Sequence, residues 1–249
     1  MEFKKVFSIC LLLCILGVFF GLFRAKQRYI FDWDQESDAI NVGEMIQEMK
    51  PRLIGPRVSN ENGFFAGPYH YYYLMPFYLL FGGDPKAGLA AVIFSNIMTA
   101  VAGYFIIANL YGQKAGIILG LILAMSNNII CWSAMHLAGL GLIIFYMAVR
   151  LLRGKNGWLM PLSFFWGLAT AVHLVPASLV IPIAAAVILS GRKYRIEEYF
   201  KAAGLFCLPF LPILLFDFRH DFLNFRKLIS FSSSRDNGLL TEKWHFLRT

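Results

Sequence analysis

The sequence predicts an all-α membrane protein: a polytopic bundle of about seven transmembrane helices, with interfacial helices in the first loop outside the bilayer. Three observations lead there. Hydrophobic residues fill 58% of the 249 positions and charged residues only 15%, against roughly 25% charged in an ordinary soluble domain, so much of the surface must face lipid. Several apolar runs are long enough to cross hydrocarbon, which takes about 20 residues per helix. Finally, the 23 Lys and Arg fall in short clusters between those runs, whereas eight of the 15 Asp and Glu lie between Asp32 and Asp84 and none between Pro85 and Ile196. A net charge of +8 arranged in this way is membrane topology rather than a phosphate-binding face, and no nucleic acid partner is expected.

Val6 to Phe23 follow Lys4 and Lys5 and hold 18 residues without a charge. Phe23-Arg24-Ala25-Lys26 offers no small-x-small cleavage site, so this segment is read as an uncleaved first span with a cytoplasmic N-terminus. A loop over residues 24–86 follows. Within it Ala39, Val42, Ile46 and Met49 recur at spacings of three and four, predicting a membrane-surface helix over Asp38 to Lys50 with Asp38 as its N-cap. Tyr69-His70-Tyr71-Tyr72-Tyr73, followed by Leu74 to Phe81, predicts a second interfacial helix, because tyrosines favour the headgroup level.

Charge-free runs then cover Ala87–Gln113, Ala115–Val149, Gly157–Gly191 and Ala202–Phe216. The second and third hold 35 residues each. That is too long for one crossing, so each predicts a helix pair, with turns near Ser126-Asn127-Asn128 and His173-Leu174-Val175-Pro176. The predicted spans are 6–23, 87–110, 115–131, 134–152, 158–172, 176–190 and 202–216. Alternation from a cytoplasmic N-terminus puts Lys114, the Arg150/Arg153/Lys155 cluster and the Arg192/Lys193/Arg195/Lys201 cluster inside, as the positive-inside rule requires. It gathers outside the loop 24–86, the turns at 126–136 and 173–176, and the tail 217–249. Gly112, Gly116 and Gly120 form a small-xxx-small stripe, read as a packing seam. Cys10, Cys14, Cys131 and Cys207 all fall in apolar segments and are read as small core residues without a disulfide. The chain reads as one transmembrane domain over 1–249.

The densest chemistry lies in Phe31-Asp32-Trp33-Asp34-Gln35-Glu36-Ser37-Asp38, with four carboxylates in seven residues just beyond the first span. Such density near a low-dielectric surface is costly unless the acids bind something. Asp32-Trp33-Asp34 matches a short Asp-x-Asp metal motif, but three residues match by chance. No cofactor is expected, and a divalent ion completed by waters stays open. His173, and likewise His136, sits in an apolar run, where an ionisable residue is either functional or a neutral histidine bonded to a backbone carbonyl. His70 lies among tyrosines that either stack on a sugar or form an aromatic belt.

Together these segments resemble the GT-C membrane glycosyltransferases, and among them the bacterial members grouped with protein O-mannosyltransferases and the lipid A aminoarabinose transferase. The resemblance is carried by the first span, the acid cluster, the surface helix, Leu53-Ile54-Gly55-Pro56, Gly67-Pro68-Tyr69-His70-Tyr71-Tyr72-Tyr73-Leu74-Met75-Pro76 and Phe81-Gly82-Gly83-Asp84-Pro85. His173-Leu174 before Pro176 and Phe216-Asp217-Phe218-Arg219-His220 extend it over nearly the whole chain. It implies a multi-pass enzyme of the bacterial inner membrane that moves a sugar from a polyprenyl-phosphate donor to a lipid, glycan or protein acceptor outside the cytoplasm, with membrane lipids around it. Similar enzymes continue with further spans, so the chain is expected to be an N-terminal portion.

The family's essential outer-loop Asp matches Asp34. Its usual Glu neighbour is Gln35 here and the next acid is Glu36, which leaves open which of the two is the base. An acceptor hydroxyl needs a carboxylate to remove its proton, and the departing lipid phosphate needs positive charge. Asp34 and Glu36 are therefore the catalytic candidates, with inversion at the anomeric carbon. Asp32, Tyr69, His70, His173, Arg219 and His220 are the substrate-binding candidates. Arg226 and Lys227 either join the phosphate contacts or serve as interfacial anchors. A transporter or lipid flippase is the rival reading, disfavoured because the acids avoid the spans and no internal repeat is visible. An inactive truncated fragment is the third.

Overall fold

The computed structural model describes residues 3–29, 31–58, 63–126, 137–155 and 157–231. The turn expected near Ser126-Asn127-Asn128, along with His136, Cys131 and the tail after residue 231, lies almost wholly outside them. Regular structure among the described residues is helical, apart from an isolated bridge between Arg57 and Phe65.

Among the described residues, three helices are long and apolar enough to cross a membrane, which marks a membrane protein. They are α1 (Phe3–Leu22), α5 (Lys86–Tyr111) and the continuous stretch Ile196–Arg219. The last is built from α10 (Ile196–Cys207), a 3-10 turn at Leu208–Phe210 and α11 (Leu211–Arg219). It begins six residues before the span expected at 202. The charge-free run begins only after Lys201, yet the helix starts before it: Glu198 accepts from the backbone N–H of Arg195 at 2.9 Å and caps the helix start, where negative charge is favoured. The other apolar segments form shorter helices: α6 (Gln113–Met125), α7 (Leu137–Leu152), α8 (Leu159–Val172) and α9 (Val180–Leu189), the last preceded by a 3-10 turn at Val175–Leu179. The run from Gly157 to Gly191 breaks where expected. His173 leaves the helix with extended backbone, Pro176 cannot continue it, and the Trp166 indole donates to the Pro176 carbonyl at 2.7 Å.

Of the glycine stripe, Gly116 and Gly120 form the seam of α6 with α5 and α1. A Cβ on Gly116 would lie 2.6 Å from the Tyr104 carbonyl, and one on Gly120 would lie 3.0 Å from Leu13. Gly112 is instead the turn between the two helices, at φ 95°, a backbone shape that suits glycine. Leu13, Tyr104 and Ala124 bury the contact of α1, α5 and α6, while Ile144, Leu151, Leu162 and Ala186 bury that of α7 to α10.

The first loop holds a single turn α2 (Ala25–Arg28) and two longer helices, α3 (Trp33–Glu48) and α4 (Tyr69–Leu80). α3 starts five residues earlier than its apolar spacing suggested. Asp32, not Asp38, is the N-cap: its carboxylate accepts from the helix N-terminus and Gln35 Oε1 accepts from the Asp32 N–H at 2.9 Å, a reciprocal capping box. Val42 and Met45 of α3 pack with Tyr71, Leu74 and Tyr78 of α4 and with Ala87 and Ala91 of α5. The loop is tied to the bundle at several points. Tyr29 donates to the Pro85 carbonyl at 2.8 Å, Gly67 N–H to Ala171 at the end of α8 at 2.6 Å, and the Tyr69 hydroxyl to Pro209 at 2.8 Å. The loop therefore sits at the bundle end formed by the start of α5, the end of α8 and the 3-10 turn before α11.

Candidate functional site

The four acids after α1 divide by role along one helix. Asp32 is occupied as the cap. Asp34 and Glu36 stand in the first turn of α3, exposed. Asp38, one turn further, is only 7% exposed and faces α4. The 3.6-residue period explains this, because Asp38, Val42 and Met45 share the stripe that packs on α4. Beside the exposed acids a groove of about 230 Å³ runs along α3, lined by Trp33, Glu36, Ser37, Ile40 and Asn41. Asn41 Nδ2 donates to the Ser37 carbonyl at 2.6 Å, which fixes the amide along the groove wall.

Asp38 Oδ2 lies 2.8 Å from His70 Nε2, and His70 is 1% exposed. A buried carboxylate needs a donor, and the imidazole supplies it from the facing helix. His70 thus pins α4 to α3, a role that aromatic surroundings did not announce. Its neighbours share the burial. The Tyr71 phenol is pushed well above its usual range by burial first and then by Asp38, partly offset by Arg52, while burial pushes Tyr73 to about 12 despite a hydrogen bond to Ser95. Arg52 pairs with Glu44 of α3, and its backbone carbonyl accepts from the Tyr72 hydroxyl.

The segment after α11 makes a second polar junction. Asp217, 4% exposed, accepts from the Asn224 N–H at 2.7 Å and the Phe225 N–H at 3.1 Å, so it caps the helix over 223–231 that follows. Asp221 and Phe222 between them adopt left-handed backbone, at φ 50° and 57°. The side-chain amide of Asn224 then pairs with the backbone of Phe65: its oxygen accepts from Phe65 N–H at 2.6 Å and its nitrogen donates to Phe65 O at 3.2 Å. The Phe65 ring carries Arg57 at 5.0 Å and Lys227 at 5.6 Å, close enough for cation–π attraction. Nothing in sequence spacing links Phe65 to Asn224. Only Asp217, an isolated acid ending an apolar run, carried a signal.

The remaining candidates are placed as follows. Tyr69 is half-buried on Pro209. His173 ends α8, and its Nδ1 accepts from Val175 N–H at 3.2 Å, a local capping role. Arg219 is exposed at the last turn of α11. His220 stacks on Phe216 at 4.1 Å and its Nδ1 donates to the Phe216 carbonyl at 2.8 Å. Arg226 is exposed and Lys227 half-exposed on the 223–231 helix. The structure brings the first loop and the segment around 209–227 to one end of the bundle. Among the described residues, no ion pair joins Asp34 or Glu36 to Arg219, Arg226 or Lys227. No protein family, curated protein or solved structure matches the chain.

Proposed function

We propose that the chain is an inverting glycosyltransferase of the GT-C type, moving a sugar from a polyprenyl-phosphate donor to a lipid, glycan or protein acceptor on the extracytoplasmic face. The observation that carries this reading is the division of labour among the acids. Capping uses Asp32 and packing uses Asp38, whereas Asp34 and Glu36 stand exposed in the first turn of α3, with Glu36 on the wall of the groove. One of them serves as base toward the acceptor hydroxyl, which attacks the anomeric carbon as its bond to the lipid phosphate breaks. The proton passes to the carboxylate and the phosphate leaves as the anion. Arg219, with Arg226 and Lys227, supplies positive charge at the same bundle end.

In the same reading all seven apolar segments cross the bacterial inner membrane, α3 and α4 lie at its outer interface, and the N-terminus is cytoplasmic. The four short apolar helices then span with their flanking turns. The end bearing Lys4, Lys5, Lys114 and Arg150 is the cytoplasmic one. A reporter fused after Arg153 or Arg195 would be cytoplasmic, and one after Gly63 external. A periplasmic signal from the Arg195 fusion overturns that pairing of spans. The enzymatic reading is tested in proteoliposomes holding the full protein and a synthetic polyprenyl-phosphate sugar. Sugar transfer that depends on Asp34 or Glu36 supports it, and movement of the lipid between leaflets without transfer supports a flippase instead.

A further inference from the structure

At the bundle end opposite the first loop, four side chains from three helical segments converge. Asn109 comes from the end of α5, Tyr146 and Arg150 from the last turns of α7, and Trp158 from the start of α8. The Arg150 guanidinium stands 5.7 Å from the Tyr146 ring centre and 5.5 Å from that of Trp158, while the two rings meet edge-on at 5.4 Å. Arg150 Nη1 donates to Asn109 Oδ1 at 3.3 Å, and the Tyr146 hydroxyl donates to the same oxygen at 3.2 Å. A guanidinium has five N–H donors. The contact to Asn109 uses one, and the buried Nε has no hydrogen-bond partner among the described residues. The group is therefore held in a fixed setting with most of its donors unspent. An arginine that merely snorkels to water needs neither rings nor amide.

The surroundings are rich in basic groups. Lys114, Arg153 and Lys155 belong to the same end and are exposed, and the sequence has no acid from Pro85 to Ile196. The next acids, Glu197 and Glu198, begin α10, where Glu198 is engaged by Arg192 and the Arg195 backbone. No carboxylate on α5, α6, α7 or α8 neutralises Arg150. We propose that this cluster binds the phosphate of an anionic phospholipid headgroup, with the Arg150 fork on the phosphate oxygens and Tyr146 and Trp158 at headgroup level. Basic pockets between spanning helices recognise anionic headgroups in this way, and a planar guanidinium fits two phosphate oxygens where an ammonium fits one. The inference needs only that the chain sits in a bilayer and is independent of the enzymatic reading.

The test is native mass spectrometry of the full chain released from detergent, with phosphatidylglycerol or phosphatidylcholine of the same acyl chains. The wild type is expected to retain phosphatidylglycerol preferentially. Arg150→Gln should reduce that preference about fivefold, the share of one basic group near an anionic surface. Asn109→Ala, which alters no charge, should weaken it less, and Arg150→Lys should stay below the wild type. Equal retention of the two lipids by the wild type overturns the proposal, and this comparison stands even if a variant fails to fold. So does an unchanged preference in Arg150→Gln, or displacement of the lipid by inorganic phosphate alone, which would make the site one for the free anion.

Discussion

His70 Nε2 and Asp38 Oδ2 meet at 2.8 Å in the seam between α3 and α4, a polar bond set among Val42, Met45, Tyr71 and Leu74. The pair joins residues 32 positions apart and fixes the angle at which α3 lies on α4. It thereby sets where Asp34, one turn before Asp38, stands. Removing either partner leaves a buried polar group unsatisfied. Asp38→Ala and His70→Ala should each destabilise the protein by about 2 kcal/mol or more. The double variant should cost less than the sum of the two. Thermal unfolding of the detergent-solubilised protein measures this, and additive losses would show that the two side chains act separately.

The bond between Asn224 and Phe65 should be visible as protection of a backbone amide. Asn224→Ala removes a partner from Phe65 N–H at a half-buried site, at a cost of about 1 kcal/mol. Hydrogen exchange at residues 64–66 should rise accordingly. Asp217→Asn, which weakens the cap of the 223–231 helix, should loosen the same amides indirectly and the amides of Asn224 and Phe225 directly. Unchanged exchange at Phe65 in both variants would mean that the loop holds its place without the C-terminal segment.

Tyr71 and Tyr73 should ionise late. Burial raises both folded-state pKa values above the usual value of 10, with Tyr73 near 12. The stability that comes from keeping these phenols neutral is fully present below pH 10 and is lost as pH rises through about 12. Ultraviolet titration should show an early group of tyrosines and a late one, and Tyr73→Phe should remove part of the late amplitude. If that variant removes early amplitude instead, the α4 face is wetter than its packing implies.

For the proposed reaction, Asp34→Asn should lower sugar transfer by about 10²- to 10⁴-fold, the usual contribution of a general base, with membrane insertion intact. Glu36→Gln is the companion. If it is the more damaging change, the base stands two residues later, on the wall of the groove. Arg219→Ala should weaken use of the polyprenyl-phosphate donor more than Arg153→Ala, which lies at the other bundle end. When neither acid variant lowers transfer, the flippase reading takes the lead.

The helical class, the break at His173-Pro176 and the crowding of acids into one loop were legible along the chain, because each rests on local rules: apolar run length, proline geometry and charge placement. Helix starts were less so. The apolar stripe of α3 runs from Asp38 toward Met49, and the reading stopped at its edge, whereas the capping box of Asp32 and Gln35 extends the helix a further turn and more. The start of α10 was missed for the same reason, since Glu197 and Glu198 look like a span boundary until they are seen capping one.

What the sequence by itself determined is which segments are apolar, which loop is acidic and which clusters are basic, since hydropathy and charge belong to residues one at a time. Which acid is buried and which is exposed was decided only by the tertiary structure. Asp34 and Asp38 are the same residue type one turn apart. They differ because α4 brings His70 to one of them and leaves the other exposed. The same holds for Asn224 on Phe65 and Asn109 on Arg150, contacts across 159 and 41 positions that no periodicity encodes. A polar side chain in an apolar bundle has to find a partner, and where that partner stands depends on how the helices pack.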